Sequence, residues 1–485
     1  MDKRWIDEGM EMLDAHFKRE GISRRDAIKL LGLGGGAAFL TGASSRPLQA
    51  SEVKAKIVIV GGGLAGVATA ARLVNRLEKP DITIIEPNEY SVSYQAGQTL
   101  VAGGIWSDAE IRYRTDDFLP NGVTLIRERA VEFDPIKNRI KTDGGREVAY
   151  DYLVVAAGLK LDFTKIEGLG IAQTITSRGD DTAVEKVVGK NGITSIYFAQ
   201  GATDTAQAIK EFVEDAKRGK RVKGIFTHPH TPIKCVGAPK KIMYLTDARL
   251  REAGVRDNAS LSFYPDGDRL FDIPLFDQAI QEQFEERDFS WYAQHNLIKV
   301  DMESKVATFD KHQEVEEIWD ETIETYTKEL KHERVEVPFD LLHITPPMIA
   351  VEEIAHSPIG SSKGWVPVDK ETLQHLKYPN IFALGDIIDV PMAKTGGSVH
   401  RQYKVVVENL LALMEGKEMP AKYDGYTVCP IITSLGTVML AEFNWSQKAT
   451  PTFPLDPTKE RWIWWLLELY LLKPMTQYGM LSGRI

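Results

Sequence analysis

Cysteine is almost absent from this chain, which has only Cys235 and Cys429 among 485 residues. Two cysteines are too few for a disulfide-stabilised scaffold, and no Cys-x-x-Cys spacing predicts a zinc or thioredoxin-type site. Each lies in a loop-like stretch close to prolines, at 231–239 and 427–430. Because they are far apart in sequence, only the fold can bring them together.

An excess of basic charge is also missing. The formal net charge is −10, which argues against nucleic acid as a partner, since nucleic acid selects basic faces. His228 and His230 have no third ligand nearby, so no metal site is predicted. What is present is typical of a folded protein, with 43% hydrophobic and 26% charged residues. The length suggests about three structural units at ~150 residues each.

The first 50 residues have the character of a targeting segment. Arg24 and Arg25 precede a weakly apolar, glycine-rich run over 28–43. Paired arginines before a modest apolar region predict twin-arginine export of a folded protein, here to the periplasmic side of the cytoplasmic membrane. Cleavage is expected near Ala43-x-Ser45, although Ala27 stands where such signals usually have an aromatic residue. The alternative is an ordinary amphipathic N-terminal helix.

A strand–glycine turn–helix–strand pattern follows. Residues 56–60 form an apolar, β-branched run, Gly61-x-Gly63-x-x-Gly66 comes next, and Glu86 ends a second strand-like run 20 residues later. In this context the first glycine makes a tight turn, the second admits a pyrophosphate and the third lets helix and strand pack closely. Phosphates would meet the helix N-terminus, and the Glu86 carboxylate would bind a ribose.

Two later segments indicate that the dinucleotide is FAD. Residues 150–158, ending Ala157-Gly158, resemble the strand-to-glycine segment of flavoproteins with two dinucleotide-binding domains. Residues 380–386, ending Gly385-Asp386, resemble their late motif, in which the aspartate binds the ribityl chain or phosphates of the flavin.

The glycine fingerprint for a second dinucleotide is missing. A second α/β unit is expected over about 190–340, but its strand at 224–227 leads into 228–239, with three prolines and one glycine. This composition cannot form the N–H cradle that a pyrophosphate needs, so NAD(P)H is not expected as a partner. Cys235 lies in this loop, which suggests that reducing equivalents enter through sulfur.

The chain resembles the sulfide:quinone oxidoreductases from about residue 56 to 485, and their two-cysteine, mitochondrial-like branch in particular. The segments that carry the resemblance are 231–245, 343–348, 364–375, 422–430 and 440–443. The resemblance implies FAD-dependent oxidation of hydrogen sulfide to persulfide or polysulfide sulfur, passed to a sulfur acceptor. It implies a Cys235–Cys429 redox bridge of two or three sulfurs and electron transfer from flavin to a membrane quinone.

The resemblance also implies individual roles. Cys235 faces the flavin, Cys429 holds the outgoing persulfide and Lys394 stabilises the anionic flavin. The residues implied to bind the cofactor are Gly61, Gly63, Leu64, Ala65, Gly66, Glu86, Gln95, Val131, Ala157, Gly158, Gly385, Asp386 and Lys394. The segment 90–95 departs from the family pattern. His228 and His230 are candidate proton shuttles or solvated loop residues.

The alternatives differ in how electrons enter and leave. One is a flavocytochrome c-type sulfide dehydrogenase flavoprotein, which passes electrons to a cytochrome c subunit. Others are a type II NADH:quinone dehydrogenase and a non-catalytic flavoprotein with an inert disulfide. A homo-oligomer is left open.

The C-terminal tail contains an apolar run, Trp462–Leu472, which Pro474 is expected to end. Eleven residues cannot span ~30 Å of hydrocarbon, so a helix lying in one leaflet is predicted, with 457–485 on the membrane surface. The alternative is a buried core or dimer helix.

The predicted fold is α/β, with two Rossmann-like dinucleotide-binding-type domains and a C-terminal amphipathic membrane-binding helix. The predicted division is 1–50 (signal), 51–165 (FAD domain), 166–345 (second domain), 346–450 (return to the FAD domain) and 451–485 (tail).

Overall fold

The computed structural model of the chain describes residues 51–92, 97–177, 182–320, 325–391 and 393–485. The targeting segment predicted for 1–50, with Arg24 and Arg25, lies outside the described residues. So does Gln95, one of the implied flavin contacts.

Strands and helices alternate over most of the described chain. The strands are β1 (Lys56–Val60), β2 (Asp81–Ile85), β3 (Tyr90–Val92), β4 (Arg112–Arg114), β5 (Thr124–Ile126), β6 (Ala130–Asp134), β7 (Arg139–Thr142), β8 (Glu147–Ala149), β9 (Tyr152–Val155), β10 (Lys160–Leu161), β11 (Ile193–Thr194), β12 (Val222–His228), β13 (Ala259–Pro265), β14 (Phe289–Trp291), β15 (His295–Asp301), β16 (Val306–Asp320), β17 (Thr325–Pro338), β18 (Leu341–His343), β19 (Met348–Ile349), β20 (Ile381–Ala383), β21 (Thr427–Ser434) and β22 (Thr437–Phe443). The α-helices are α1 (Leu64–Val74), α2 (Gly97–Ala102), α3 (Thr182–Glu185), α4 (Ala199–Lys217), α5 (Ala238–Glu252), α6 (Pro274–Glu286), α7 (Glu352–Ala355), α8 (Gly396–Met414), α9 (Trp462–Leu466) and α10 (Leu472–Pro474). Short 3₁₀ turns lie at Asp108–Glu110, Thr115–Phe118, Phe163–Lys165, Arg256–Asn258 and Gly385–Ile387.

The first parallel sheet has the strand order β20-β9-β1-β2-β5. Its central strand β1 pairs in parallel with β2 and β9, and β9 pairs with β20. Continuous Val and Ile runs suit a parallel strand that is buried on both faces. The strand–turn–helix–strand predicted for 56–86 is therefore confirmed. The strand at 381–383 joins the same sheet, so a late segment of the chain returns to the first unit.

Antiparallel pieces surround this sheet. The alternating residues of 123–150 form β5 and the three-stranded sheet β6-β7-β8, as their period-2 pattern predicts. The charged stretch 311–336, predicted as a hairpin or a helix, is a hairpin of β16 and β17 with β15 alongside.

The second parallel sheet has the order β11-β18-β12-β13-β14. The predicted helices at 203–217 and 240–251 correspond to α4 and α5, and the predicted strands at 224–227 and 260–264 correspond to β12 and β13. The connection from β12 to α5 runs through residues 229–237, which include Cys235. The core of this unit is continuous with that of the first sheet.

The tail was predicted incorrectly at its end. Helix α9 begins at Trp462 as expected and leads into a π-helical turn at Leu467–Leu471. Pro474 does not end the helical segment, which continues into a second π-helical turn at Met475–Met480. Pro474 has φ −59° and ψ −39°, values that its ring permits. The wider i→i+5 register of the π-turns avoids the i−4 carbonyl that a proline ring would strike.

One face of the tail is buried. Trp464 packs with Leu100, Leu245, Val438 and Leu440 in a small core separate from the main one. Leu471 and Tyr478 are exposed at 45% and 56%. Among the described residues no helix combines the length and the apolar character needed to cross a membrane.

Candidate active site

The glycine turn after β1 has the geometry that its sequence predicts. Gly61 has φ +111°, and a Cβ added there would lie 2.3 Å from the carbonyl oxygen of Ala156. A Cβ at Gly66 would lie 1.9 Å from the Gly61 carbonyl oxygen. Helix α1 begins at Leu64, and its first-turn N–H groups point out of the helix end without intrahelical partners. The turn therefore exposes backbone donors without side chains in front of them.

Glu86 is fixed beside this turn at the end of β2. Its carboxylate accepts hydrogen bonds from the Gly62 N–H at 2.7 Å and from the Asn88 N–H and Nδ2 at 2.9 and 2.7 Å. These bonds orient an almost fully buried carboxylate toward the space in front of the turn. Binding of a ribose by Glu86 remains a prediction.

A cavity in front of the turn brings together most of the predicted residues. Those that line it are Gly61, Gly63, Leu64, Ala65, Glu86, Ala157, Gly158, Cys235, Gly385, Asp386 and Lys394. Gly66 packs behind the turn, and Val131 lies on β6 and does not line the cavity. Gly158 and Gly385 have φ of +73° and +78°, so backbone rather than side chain faces this space. Glycine-lined walls and a free helix N-terminus fit a dinucleotide.

Lys394 is held at the cavity wall by backbone oxygens. Its Nζ donates to the carbonyl oxygens of Asp386 at 2.6 Å and Ile388 at 3.1 Å, and lies 4.0 Å from the Trp365 ring centroid. Burial lowers the pKa of Lys394 to about 8, against the opposing effect of Asp386. Burial raises the pKa of Asp386, partly offset by Lys394. The opposite charges of Lys394 and Asp386 offset one another at the place where the resemblance puts the flavin.

The structure brings the two cysteines together. Cys235 adopts φ +55°, and its N–H donates to the Lys394 carbonyl oxygen at 3.0 Å, which ties the cysteine loop to the lysine loop. Cys429 lies on β21 and is buried, so close to Gly237 that a Cβ there would be 2.6 Å from its Sγ. Both are free thiols in this structure, and the Cys429 thiol donates a hydrogen bond to Cys235. Val428 and Pro430, which flank Cys429, line the cavity.

The two sulfur atoms are electrostatically unequal. The hydrogen bond from Cys429 lowers the pKa of Cys235 most, and Lys241, whose Nζ donates to Cys235 Sγ at 3.5 Å, adds to this effect. Together they outweigh burial and bring the pKa of Cys235 to about 5. The neighbouring Cys235 thiolate and burial raise the pKa of Cys429 well above its ordinary range. At neutral pH the pair is one thiolate and one thiol.

Lys241 is a site residue that the sequence reasoning missed. It lies in the first turn of α5, is 1% exposed and lines the cavity. Burial acts to lower its pKa, but the adjacent Cys235 and Cys429 raise it above its ordinary value. A lysine one helical turn after a cysteine loop was the available signal, because cations lower the pKa of thiols.

His228 has little support as a proton shuttle. It ends β12, and burial, with Lys240 nearby, lowers its pKa to about 3. A histidine with this pKa stays neutral near pH 7. No cluster of metal-ligating side chains occurs among the residues that the structure describes.

The fold and the site define an α/β flavoprotein with FAD as its cofactor. A family model described as pyridine nucleotide-disulphide oxidoreductase matches residues 55–205. The mitochondrial sulfide:quinone oxidoreductase of Mus musculus is 36% identical over 86% of this chain and 83% of its own length. The one from Dictyostelium discoideum is 36% identical over 88% and 86%. The chain belongs to the sulfide:quinone oxidoreductase family.

Solved structures agree on the fold. The sulfide:quinone oxidoreductase of Aquifex aeolicus superposes with a TM-score of 0.67 at 20% identity, covering 89% of this chain and 92% of that one. A chain of the Tetrahymena thermophila mitochondrial ATP synthase superposes with a TM-score of 0.70 at 17% identity, covering 90% and 99%. At these identities the likeness extends to the fold alone.

Proposed function

We propose that this protein oxidises hydrogen sulfide at a Cys235–Cys429 bridge and passes the electrons through FAD to a membrane quinone. The observation that carries the proposal is the unequal pair of sulfurs, with Cys235 at the cavity wall, Lys241 beside it and Cys429 buried. Family membership gives the substrate class, and the asymmetry of the pair gives the direction of the chemistry.

The asymmetry selects which sulfur is attacked. In thiol–disulfide exchange the thiol of lower pKa is the better leaving group. When hydrosulfide forms a bond to the Cys429 sulfur, the Cys235–Cys429 bond breaks and Cys235 leaves as the thiolate with the electron pair. A persulfide remains on Cys429, and its outer sulfur is transferred to a second sulfide or a thiol, which releases Cys429 as a thiolate. Re-formation of the Cys235–Cys429 bond from the two thiolates would then yield the electron pair that FAD accepts. Lys241 stabilises the departing thiolate by charge and hydrogen bond.

FAD, when bound, supplies a two-electron acceptor that can be reoxidised by a quinone. Gly61, Gly63 and the N-terminus of α1 would hold its pyrophosphate, and Gly385 and Asp386 its ribityl side. Lys394 would place a positive charge near the ring, where negative charge develops on reduction. The hydrogen bond from the Cys235 N–H to the Lys394 carbonyl oxygen holds thiolate and cation in a fixed relation.

The test is anaerobic addition of sulfide to the purified holoenzyme while the flavin spectrum is recorded. Sulfide should bleach the flavin and NADH should not, and a short-chain quinone should then reoxidise it faster than cytochrome c does. Bleaching by NADH but not by sulfide would overturn the proposal. Faster reoxidation by cytochrome c would favour the flavocytochrome c-type alternative, and no bleaching by either donor would favour the non-catalytic one.

The C-terminal tail is proposed to bind the membrane surface. Its buried face packs on the protein, while Leu471 and Tyr478 are exposed and Trp462 and Trp465 are half-buried. Aromatic residues of this kind favour the membrane interface. Leu471→Ser should weaken flotation of the protein with vesicles several-fold, because an apolar contact worth about 1.5–3 kcal/mol when fully buried is lost. Leu376→Ser, an exposed leucine outside the tail, is the control, and equal flotation of both variants would contradict the assignment.

Export and the domain division also remain proposals. Export rests on Arg24 and Arg25 and the apolar run 28–43 that follows them, and the mitochondrial relatives do not support it. Residues 1–50 fused to a folded reporter should carry it to the periplasm, and replacement of both arginines by lysine should stop this. A reporter that stays in the cytoplasm in either form would remove the export proposal.

The domain division is tested by limited proteolysis. Cuts clustered near 165, 345 and 450 would support the division, whereas cuts inside β12 or α8 would count against it.

A further inference from the structure

The start of α5 holds both cysteines in place. The Ala238 N–H donates to the Cys235 carbonyl oxygen at 2.8 Å, so the cysteine loop closes directly onto the first turn of the helix. Gly237, which precedes the helix, is buried, and its N–H donates to the Cys429 sulfur. Strand β21, which carries Cys429, packs against α5. The two cysteines therefore meet at one helix end, although they come from distant parts of the chain.

Position 237 has no room for a side chain. A Cβ added at Gly237 would lie 2.6 Å from the Cys429 Sγ and 3.2 Å from the Ile431 Cγ1. Both atoms belong to β21, so this strand and the start of α5 are in direct contact. Non-bonded carbon atoms are in best contact at about 3.5–4.0 Å. A methyl group at 237 would therefore have to displace the Cys429 sulfur by roughly 1 Å.

The backbone at Gly237 does not itself require glycine. Its φ of −78° and ψ of −15° are right-handed helical values that alanine adopts without strain. The glycine turn after β1 differs in this respect, because Gly61 has φ +111°, a value that favours glycine. The close approach of the Cys429 sulfur, rather than the backbone conformation, is the reason for a glycine at 237.

This contact controls how near the two sulfurs can come. Cys235 is fixed on both sides, by the bond from its N–H to the Lys394 carbonyl oxygen and by the bond from Ala238 to its own carbonyl oxygen. A disulfide forms only within a narrow range of Cβ positions. The Cys235–Cys429 bond can therefore form only if β21 brings Cys429 close to the start of α5, which a side chain at 237 would prevent.

We propose that Gly237 positions Cys429 for closure of the bridge, because its missing side chain lets the sulfur approach Cys235. This inference rests on the proposed function. When the bridge closes, the Cys235–Cys429 bond forms from the two thiolates and the electron pair passes to FAD. Gly237 takes no part in these bond changes. It is a positioning residue that acts by admitting the Cys429 sulfur.

The first experiment compares Gly237→Ala with Gly224→Ala in the purified holoenzyme. Gly224 is buried on β12, and a Cβ there would lie 2.8 Å from Leu261 Cδ2, so this control adds a similar contact that involves no sulfur. Gly237→Ala should slow sulfide-driven flavin reduction about a hundredfold, as an error of about 1 Å between reacting groups can. Gly224→Ala should match the wild type. Equal rates in the two variants would overturn the inference.

The state of the cysteines in the same proteins gives a readout that a purely structural role would not change. Each protein is unfolded without reductant and alkylated, and the peptides are weighed by mass spectrometry. Both cysteines should be blocked in the wild type and in Gly224→Ala, whereas most of the Gly237→Ala protein should be alkylated at both. A Gly237→Ala protein that is bridged as fully as the wild type would overturn the inference.

A double-mutant cycle tests the contact without a catalytic step. The wild type, Gly237→Ala, Cys429→Ala and the double variant are kept fully reduced, so that flavin and cysteines are in the same state in all four. Gly237→Ala should lower the melting temperature by a few degrees when Cys429 is present. It should change the melting temperature little in the Cys429→Ala background, where the sulfur is gone. Equal shifts in the two backgrounds would overturn the inference.

The cycle also covers a variant that does not fold. If Gly237→Ala alone fails to fold, the double variant with Cys429→Ala should still fold, and failure of both would overturn the inference. If sulfide leaves the wild-type flavin oxidised, the proposed function fails whatever the melting temperatures show. If sulfide reduces the wild-type flavin but the two Gly237→Ala shifts are equal, only the role of Gly237 fails.

Discussion

The two parallel sheets each have a strand-to-helix connection at the same place, but the residues that form the two connections differ in kind. In the first, β1 ends at Val60 and α1 begins at Leu64, so three glycines form the whole turn. In the second, β12 ends at His228 and α5 begins at Ala238, so nine residues with Cys235 among them fill the same place. The first turn works by having no side chains, and the second works by presenting one sulfur atom.

Backbone geometry makes the contrast sharper. Gly61 needs φ +111° to let Ala156 approach, whereas Cys235 holds φ +55° although it has a side chain. A non-glycine residue in this region costs about 1–3 kcal/mol and is retained where the surrounding structure fixes it. Here the Lys394 carbonyl oxygen and the Cys429 thiol fix it. One connection thus exposes backbone at the cavity, and the equivalent one places a sulfur atom there.

The largest effect on the contrast between the two turns is expected when the sulfur of the second turn is removed. Cys235→Ser should lower the rate of sulfide-driven flavin reduction at least about a thousandfold, because loss of an essential reacting group has effects of that size or more. FAD content should be unchanged, since the first turn is intact. Stopped-flow absorbance and the protein-to-flavin absorbance ratio measure the two quantities. A variant that loses FAD as well would show that the turns are not independent.

The converse change should affect only the first turn. Gly61→Ala places a Cβ 2.3 Å from the Ala156 carbonyl oxygen at an unfavourable φ, so most of the bound FAD should be lost on purification. Gly267→Ala is the control, because nothing lies within 4 Å of its added Cβ and its φ is not positive. Once the Cys235–Cys429 bridge has been reduced, alkylation of Cys235 below pH 7 should be fast in both variants. Retention of FAD in Gly61→Ala would contradict the assignment of the turn.

A smaller effect is expected from the cation beside the sulfur. Lys241→Met should raise the pKa of Cys235 above about 5 by roughly one to two units, as loss of a nearby opposite charge does. Once the Cys235–Cys429 bridge has been reduced, alkylation between pH 5 and 6 should slow about tenfold, because a lowered thiol pKa keeps the reactive thiolate present above that pKa. Lys241→Arg should restore most of the rate. An unchanged pH profile in Lys241→Met would assign the low pKa to the Cys429 hydrogen bond alone.

Local pattern was enough to predict much of the fold. A parallel strand, a turn and a second strand could be identified from the β-branched run 56–60, the glycines after it and Glu86. Each of these features has a specific structural role in a dinucleotide-binding unit. The hairpin of β16 and β17 was ambiguous, since charged residues show no clear period. The end of the tail was missed because proline usually stops a helix, and its tolerance here depends on the π-turns around it.

Site residues could be predicted where a sequence motif identifies them, and not where only the folded structure brings them to the site. Cys235 and Cys429 could be singled out because they are the only cysteines, yet their contact depends on β21 packing against α5. Lys241 was missed because its importance arises from burial next to Cys235.

The central claim is that electrons enter the flavin through the Cys235–Cys429 bridge. The most direct measurement is anaerobic alkylation and peptide mass spectrometry of the wild-type holoenzyme before and after one equivalent of sulfide. Before sulfide, both cysteines should resist alkylation. Afterwards, Cys235 should be alkylated at its own sulfur and Cys429 should carry one additional sulfur atom. With no sulfur acceptor present, two cysteines that still resist alkylation after sulfide, with no additional sulfur on either, would contradict this account.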